Sequence, residues 1–266
     1  MNDHILSAFD DNIERLNNML MDMANLAIIQ NNAMLKAYQD FDKDLADKVI
    51  KADHSINIKD MDIDKRALRI ILRHQPMAED LRLVITAPKV STNIERIADG
   101  AKAIAKMIIR QDKPLTLGNN TIITMGQTVN VMFNDVMEAW VERDELTAIE
   151  IRERDQRVDE LYRSLFRELI SWMIEDPRNI TSGITALLAA RYIERAGDHI
   201  CNICEAIYFV STGRRLERVI EEENDEPFDI NVLEGVAPKD IVRLEDTSED
   251  DIGPIVGDDV NKNKQL

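Results

Sequence analysis

Thr92-Asn93-Ile94-Glu95-Arg96-Ile97-Ala98-Asp99 and Arg191-Tyr192-Ile193-Glu194-Arg195-Ala196-Gly197-Asp198 are two versions of one segment. Each sets a Glu and an Asp four residues apart inside an apolar pattern of helical period. On a helix, residues four apart share a face and lie roughly 5–6 Å apart at Cβ. Two acids held there repel each other unless a cation sits between or opposite them. The same costly pairing, made twice, implies a duplicated chain.

The flanking sequence agrees. Phe9, Ile13, Leu16, Leu20, Met23 and Ala27 predict a first helix over 4–41. A second runs to about Arg73 and is ended by His74-Gln75-Pro76, because Pro76 pushes Gln75 out of the helical region. A third runs from Met77 to Arg110, with Pro88 inside it as an expected kink. Residues 118–142, 145–174 and 178–212 repeat the cycle, with Gly213 as a left-handed stop. Asp53 and Asp155 are 102 residues apart, Pro76 and Pro177 are 101 apart, and Glu95 and Glu194 are 99 apart. A unit of about a hundred residues has been copied, with small deletions in the second copy. Short connections make neighbouring helices antiparallel. The expected fold is all-α, two tandem pseudo-symmetric three-helix bundles over 1–113 and 114–213.

Composition supports helices. Aromatic residues are 5%, with 9 Gly and 7 Pro in 266 residues, too few for a strand-rich fold with frequent turns. A net charge of −17 argues against nucleic-acid binding, which needs a cationic face, and suits cations or basic partners. The two cysteines, Cys201 and Cys204, make no disulfide framework, and a reducing, cytoplasmic setting is expected. The first residues do not read as a signal peptide, and no stretch is long and apolar enough to span a membrane. Residues 214–266 carry 7 basic and 16 acidic residues with little periodicity. They are expected to form a disordered or loosely docked acidic tail.

The chemistry rests on carboxylates. Ile94, Ile97, Ala101 and Ile104 mark the core stripe, so Glu95 and Asp99 fall at its margin. Ala98, Ala196 and Gly197 leave space beside the acids. The second helix of each unit offers partners: Asp155 and Asp159 in one, Asp53 and Asn57 in the other. Two such pairs on antiparallel helices would form hard oxygen clusters suited to Mg²⁺, Mn²⁺, Ca²⁺ or Fe³⁺. The candidate metal ligands are therefore Asp53, Asn57, Glu95 and Asp99 in the first half, and Asp155, Asp159, Glu194 and Asp198 in the second. Asn57 in place of an acid makes the first site less charged. The competing reading is a solvated face whose acids pair with Arg96 and Arg195 on the same helix.

A di-iron enzyme needs Glu-x-x-His on two helices. None of His4, His54, His74 and His199 follows a Glu at that spacing. Cys201-Asn202-Ile203-Cys204 lacks the further ligands of a thiolate zinc site and sits mid-helix, so it reads as packing. There is no phosphate loop or nucleophile elbow. The chain does not read as an enzyme.

Arg73-His74-Gln75-Pro76-Met77-Ala78-Glu79-Asp80-Leu81-Arg82, the two Ile-Glu-Arg-x-x-Asp segments, Glu175-Asp176-Pro177-Arg178-Asn179-Ile180 and Ala190-Arg191-Tyr192-Ile193-Glu194-Arg195 together resemble the PhoU family of bacterial phosphate-signalling regulators. The resemblance covers about residues 4–213. It implies a six-helix, non-enzymatic, often homodimeric protein binding metal ions (Mg, Mn, Fe or Zn) through its acidic motifs. It further implies a cytoplasmic protein that meets the membrane only through partners. Those partners are the ATPase subunit of a high-affinity phosphate transporter and a sensor histidine kinase, and the outcome is repression of the phosphate regulon when phosphate is plentiful. A metal-buffering protein sharing only the fold is the alternative.

Overall fold

The computed structural model describes residues 2–216, with side chains from residue 9 onward. The expected acidic tail lies outside the described residues from 217 onward. Six α-helices follow one another: α1 Asn2–Asp40, α2 Lys43–His74, α3 Ala78–Arg110, α4 Asn119–Glu142, α5 Glu145–Glu175 and α6 Ile180–Thr212. A 3₁₀ turn, Pro177–Asn179, precedes α6. There is no strand among the described residues. None of the described helices is long and apolar enough to cross a membrane.

The duplication is visible in how helices stop and start. α1 ends on Phe41 and α4 on Arg143, both left-handed, at φ 52° and 56°. The Asp42 amide then donates to Ala37 O at 3.0 Å, and the Asp144 amide to Ala139 O at the same distance. Asp42 caps α2 by accepting from the Leu45 amide, and Asp144 caps α5 by accepting from the Leu146 and Thr147 amides. In both halves a carboxylate satisfies amides that the first helical turn leaves bare. The later turns differ. Gln75 closes α2 in the left-handed region, whereas Asp176 is extended at φ −140° and leads into the 3₁₀ turn. Gly213 closes α6 at φ 74° as its sequence position implies.

α1, α2 and α3 pack on one another, as do α4, α5 and α6, and the pairs α1/α4 and α3/α6 join the two sets. One apolar core runs through all six helices. Leu16, Leu20 and Met23 on α1 and Phe133 on α4 are fully buried. Each such side chain contributes roughly 1.5–3 kcal/mol of burial. At the α1/α4 seam Gly126 faces Leu35: a Cβ there would fall 2.6 Å from a Leu35 methyl. The missing side chain sets how closely these helices approach. Asn130 donates to Asn32 Oδ1 at 2.9 Å along the same seam. α3 continues through Pro88, and the Ser91 and Thr92 hydroxyls both donate to the Pro88 carbonyl.

Candidate metal clusters on paired helices

In the first half, Asp53 on α2 is 3% exposed. Its Oδ2 accepts from Lys102 Nζ at 2.7 Å and from Asn57 Nδ2 at 3.3 Å. Lys102 also reaches Asp99 Oδ1 at 3.1 Å. The acids of α2 and α3 therefore already share a cation, and it belongs to the protein. Asp60, one turn beyond Asn57, joins them and accepts from Ser91 Oγ at 2.6 Å. Glu95 is pushed above the usual carboxylate range, first by burial and then by the charges of Asp99, Asp60 and Asp53. Lys102 is held protonated chiefly by its hydrogen bond to Asp53. Asp53 Oδ1 and Asn57 Oδ1 are buried without a partner.

The second half handles the same design differently. Position 201 stands where the 99-residue offset would place the counterpart of Lys102, and it is a cysteine. The Cys201 thiol donates to the Asp155 carboxylate, and burial pushes that thiol far up. Asp155 itself is raised to about 6, mainly by burial, with Asp159 and Asp198 adding to the effect. Glu194 is 9% exposed and raised by burial and by Asp198, against the pull of Arg191. Asp198 is raised by burial too. Arg191 pairs with Glu194 Oε1 from the cluster's edge and lies 5.8 Å over the Tyr162 ring. Arg163 reaches Asp159 at 3.2 Å from an exposed position. Asp155 Oδ1 and Glu194 Oε2 remain buried and unbonded. Gly197 makes the space: a Cβ there would lie 2.2 Å from Asp155 Oδ1.

The eight residues singled out by sequence thus fall into two clusters, one per half. Asp99 and Asp198 turn largely outward, whereas Asp53 and Glu194 are buried. Among the described residues no group of three or more His, Cys, Asp or Glu side chains is arranged to hold a metal ion. The first cluster does not fit one as it stands, because Lys102 occupies the position between Asp53 and Asp99. The second has the hard oxygen donors, two orphaned buried oxygens and no lysine, and it fits a cation by donor chemistry. Lys102 and Asp60 were readable three residues beyond Asp99 and seven beyond Asp53, at helical spacing from acids already singled out. Cys201 does more than fill space, since its thiol is directed at Asp155. His199 is buried and structural, with Nδ1 3.1 Å from Asn93 Oδ1 on α3. Arg96 and Arg195 form no ion pair among the described residues. They do not shield the adjacent Glu side chains.

Comparison with known proteins agrees with this architecture. The PhoU domain model matches twice, over residues 20–108 and 122–207, one match in each half. The chain belongs to the PhoU family. It is 35% identical over 214 residues to the phosphate-specific transport system accessory protein PhoU homolog of Zymomonas mobilis, covering 80% of this chain and 90% of the relative. It is 34% identical over 229 residues to the phosphate-specific transport system accessory protein PhoU of Escherichia coli, covering 85% and 94%. Among solved structures, PhoU from Pseudomonas aeruginosa superposes with a TM-score of 0.75 at 33% identity, covering 77% of this chain and all of that one. The phosphate transport system regulatory protein PhoU from Streptococcus pneumoniae gives 0.74 at 28% identity, covering 78% and 99%.

Proposed function

We propose that this PhoU-family protein is a non-catalytic accessory regulator of a phosphate-specific transport system. In this role it couples the transporter's ATPase subunit to a sensor histidine kinase, acts as a homodimer at the inner face of the membrane, and helps hold the phosphate regulon off when phosphate is plentiful. The observation that carries the reading is near full-length similarity, through both repeats, to proteins named as accessories of that transport system. A stiff six-helix body suits an adaptor, since it presents fixed surfaces to two partners. Deleting the gene should switch on phosphate-starvation genes in rich phosphate, and a plasmid copy should restore repression. Unchanged expression in the deletion strain contradicts the role. Co-purification of the full chain with the ATPase subunit, compared between high and low phosphate, tests the physical link.

The second carboxylate cluster supports metal binding as part of this role. Asp155, Asp159, Glu194 and Asp198 would hold a divalent or trivalent ion, which neutralises charges that burial makes costly. Bound there, the ion cross-links α5 to α6 and stabilises the second half by mass action. The metal-buffering alternative predicts disturbed metal balance with normal phosphate regulation in the deletion strain.

A further inference from the structure

A groove of about 850 Å³ runs along the seam between α3 and α6, and it shares only Asp99 and Lys102 with the margin of the first carboxylate cluster. Its charge is opposite to that of the protein. Arg96, Lys102, Lys106, Arg110 and Arg195 line it, against the single acid Asp99, in a chain of net charge −17. Lys102 is committed to Asp53 and Asp99. Arg96, Lys106, Arg110 and Arg195 are exposed and form no ion pair among the described residues.

The duplicated motif explains how the cations gather. Each Arg follows its Glu by one residue, which turns it about 100° round the helix. The two Glu side chains therefore face α2 and α5 within their own halves, while Arg96 and Arg195 meet at the seam. Gly100, Ala103 and Ala196 line the same groove and leave it open. A Cβ on Gly100 would already touch the Tyr192 carbonyl at 3.7 Å, so the helices are close here.

We propose that this groove binds a small linear anion of linked phosphate groups, held by Arg96, Lys106, Arg110 and Arg195. Arg96 and Lys106 stand ten residues apart, about 15 Å along α3, with Arg110 one turn further on, so the unpaired cations reach over more than a single orthophosphate spans. Arginine forks match phosphate oxygens in pairs, and lysine supplies point charge. A compact anion inside the groove feels the local field, whereas an acidic protein or nucleic acid extends beyond it onto a strongly negative surface. This ligand is independent of the transport role and stands or falls without it.

The test is titration calorimetry on the metal-stripped full-length protein at fixed ionic strength, with sodium tripolyphosphate, ATP, orthophosphate and poly-glutamate as probes. Tripolyphosphate is expected to bind at least tenfold tighter than orthophosphate, with affinity falling as salt rises. Lys106→Glu with Arg110→Glu should weaken it tenfold or more, and Lys106→Gln with Arg110→Gln should weaken it less. Lys48→Glu with Arg157→Glu, the same charge change elsewhere, should leave it within about twofold. ATP tighter than tripolyphosphate makes the ligand a nucleotide; ATP equal or weaker makes it the phosphate chain itself. No tripolyphosphate binding, equal orthophosphate binding, indifference to the Lys106/Arg110 reversal, or tighter binding of poly-glutamate overturns the proposal.

Discussion

At Asp155 the protein holds a carboxyl whose folded pKa, about 6, lies above its ordinary 3.8. The native state therefore binds the proton more tightly than the unfolded chain. Stability from this group is present below pH 4 and is lost as pH rises through 6. In metal-free protein, Asp155→Asn should raise the thermal midpoint at pH 7.5, and the advantage should vanish near pH 4. Adding Mn²⁺ should reverse the order, because only the wild type gains from the ion. Thermal scans at both pH values, with and without Mn²⁺, check this. Gly197→Ala probes the same place, since the new methyl displaces Asp155 Oδ1. Mn²⁺ affinity is expected to fall tenfold or more, with little change in stability, because only the tip of one side chain has to move. Lys102→Met strips a buried carboxylate of its cation and should cost about 2–3 kcal/mol by urea unfolding, at or just below the ~3–5 kcal/mol of a broken fully buried pair because Lys102 keeps some contact with water.

Among the helices, local chemistry and tertiary packing were unequally legible. The breaks after residues 41 and 142 were readable, but the caps that Asp42 and Asp144 make there are seen only in the structure, where they follow general rules. Asp144 accepts from two amides and the Thr147 hydroxyl, whereas Asp42 accepts from one amide. Asp144→Ala is therefore expected to lower the urea midpoint more than Asp42→Ala. The Thr147 hydroxyl and amide hold the Asp144 carboxyl below its ordinary range. Its stabilisation is present at neutral pH and is lost as pH falls through that depressed value. The paired candidates could be found because a period of 3.6 puts Glu95 with Asp99 and Asp53 with Asn57. What spacing along one helix could not decide is which side chain of a neighbouring helix reaches in. Lys102 and Asp53 are 49 residues apart, so their contact depends on how α2 and α3 pack. Arg96 and Arg195 look like local partners for their neighbouring acids, yet the turn of the helix carries them to the opposite seam.

Over the whole molecule, duplication supplied two copies of one acidic cluster, and divergence at two positions, Asn57 against Asp159 and Lys102 against Cys201, separates them. The first copy has Lys102 and neutralises itself. The second has Cys201, leaves Asp155 and Glu194 with unbonded oxygens, and in this account depends on an ion from solution. The repeat and the six-helix order were readable from Pro76, Pro177 and the recurring Ile-Glu-Arg. The α3/α6 seam was not, because it depends on contacts between copies that no periodicity within either copy specifies. Lys102→Cys with Asn57→Asp should accordingly restore symmetry and create a second ion site, read as a second bound Mn²⁺ in equilibrium dialysis.

The most direct measurement is Mn²⁺ binding to the full-length protein by equilibrium dialysis. It should be run on the wild type, Asp53→Asn, and the pair Asp155→Asn with Asp159→Asn. Binding should survive Asp53→Asn and be lost in the Asp155/Asp159 variant. Equal loss in both variants, or no binding by the wild type, contradicts this.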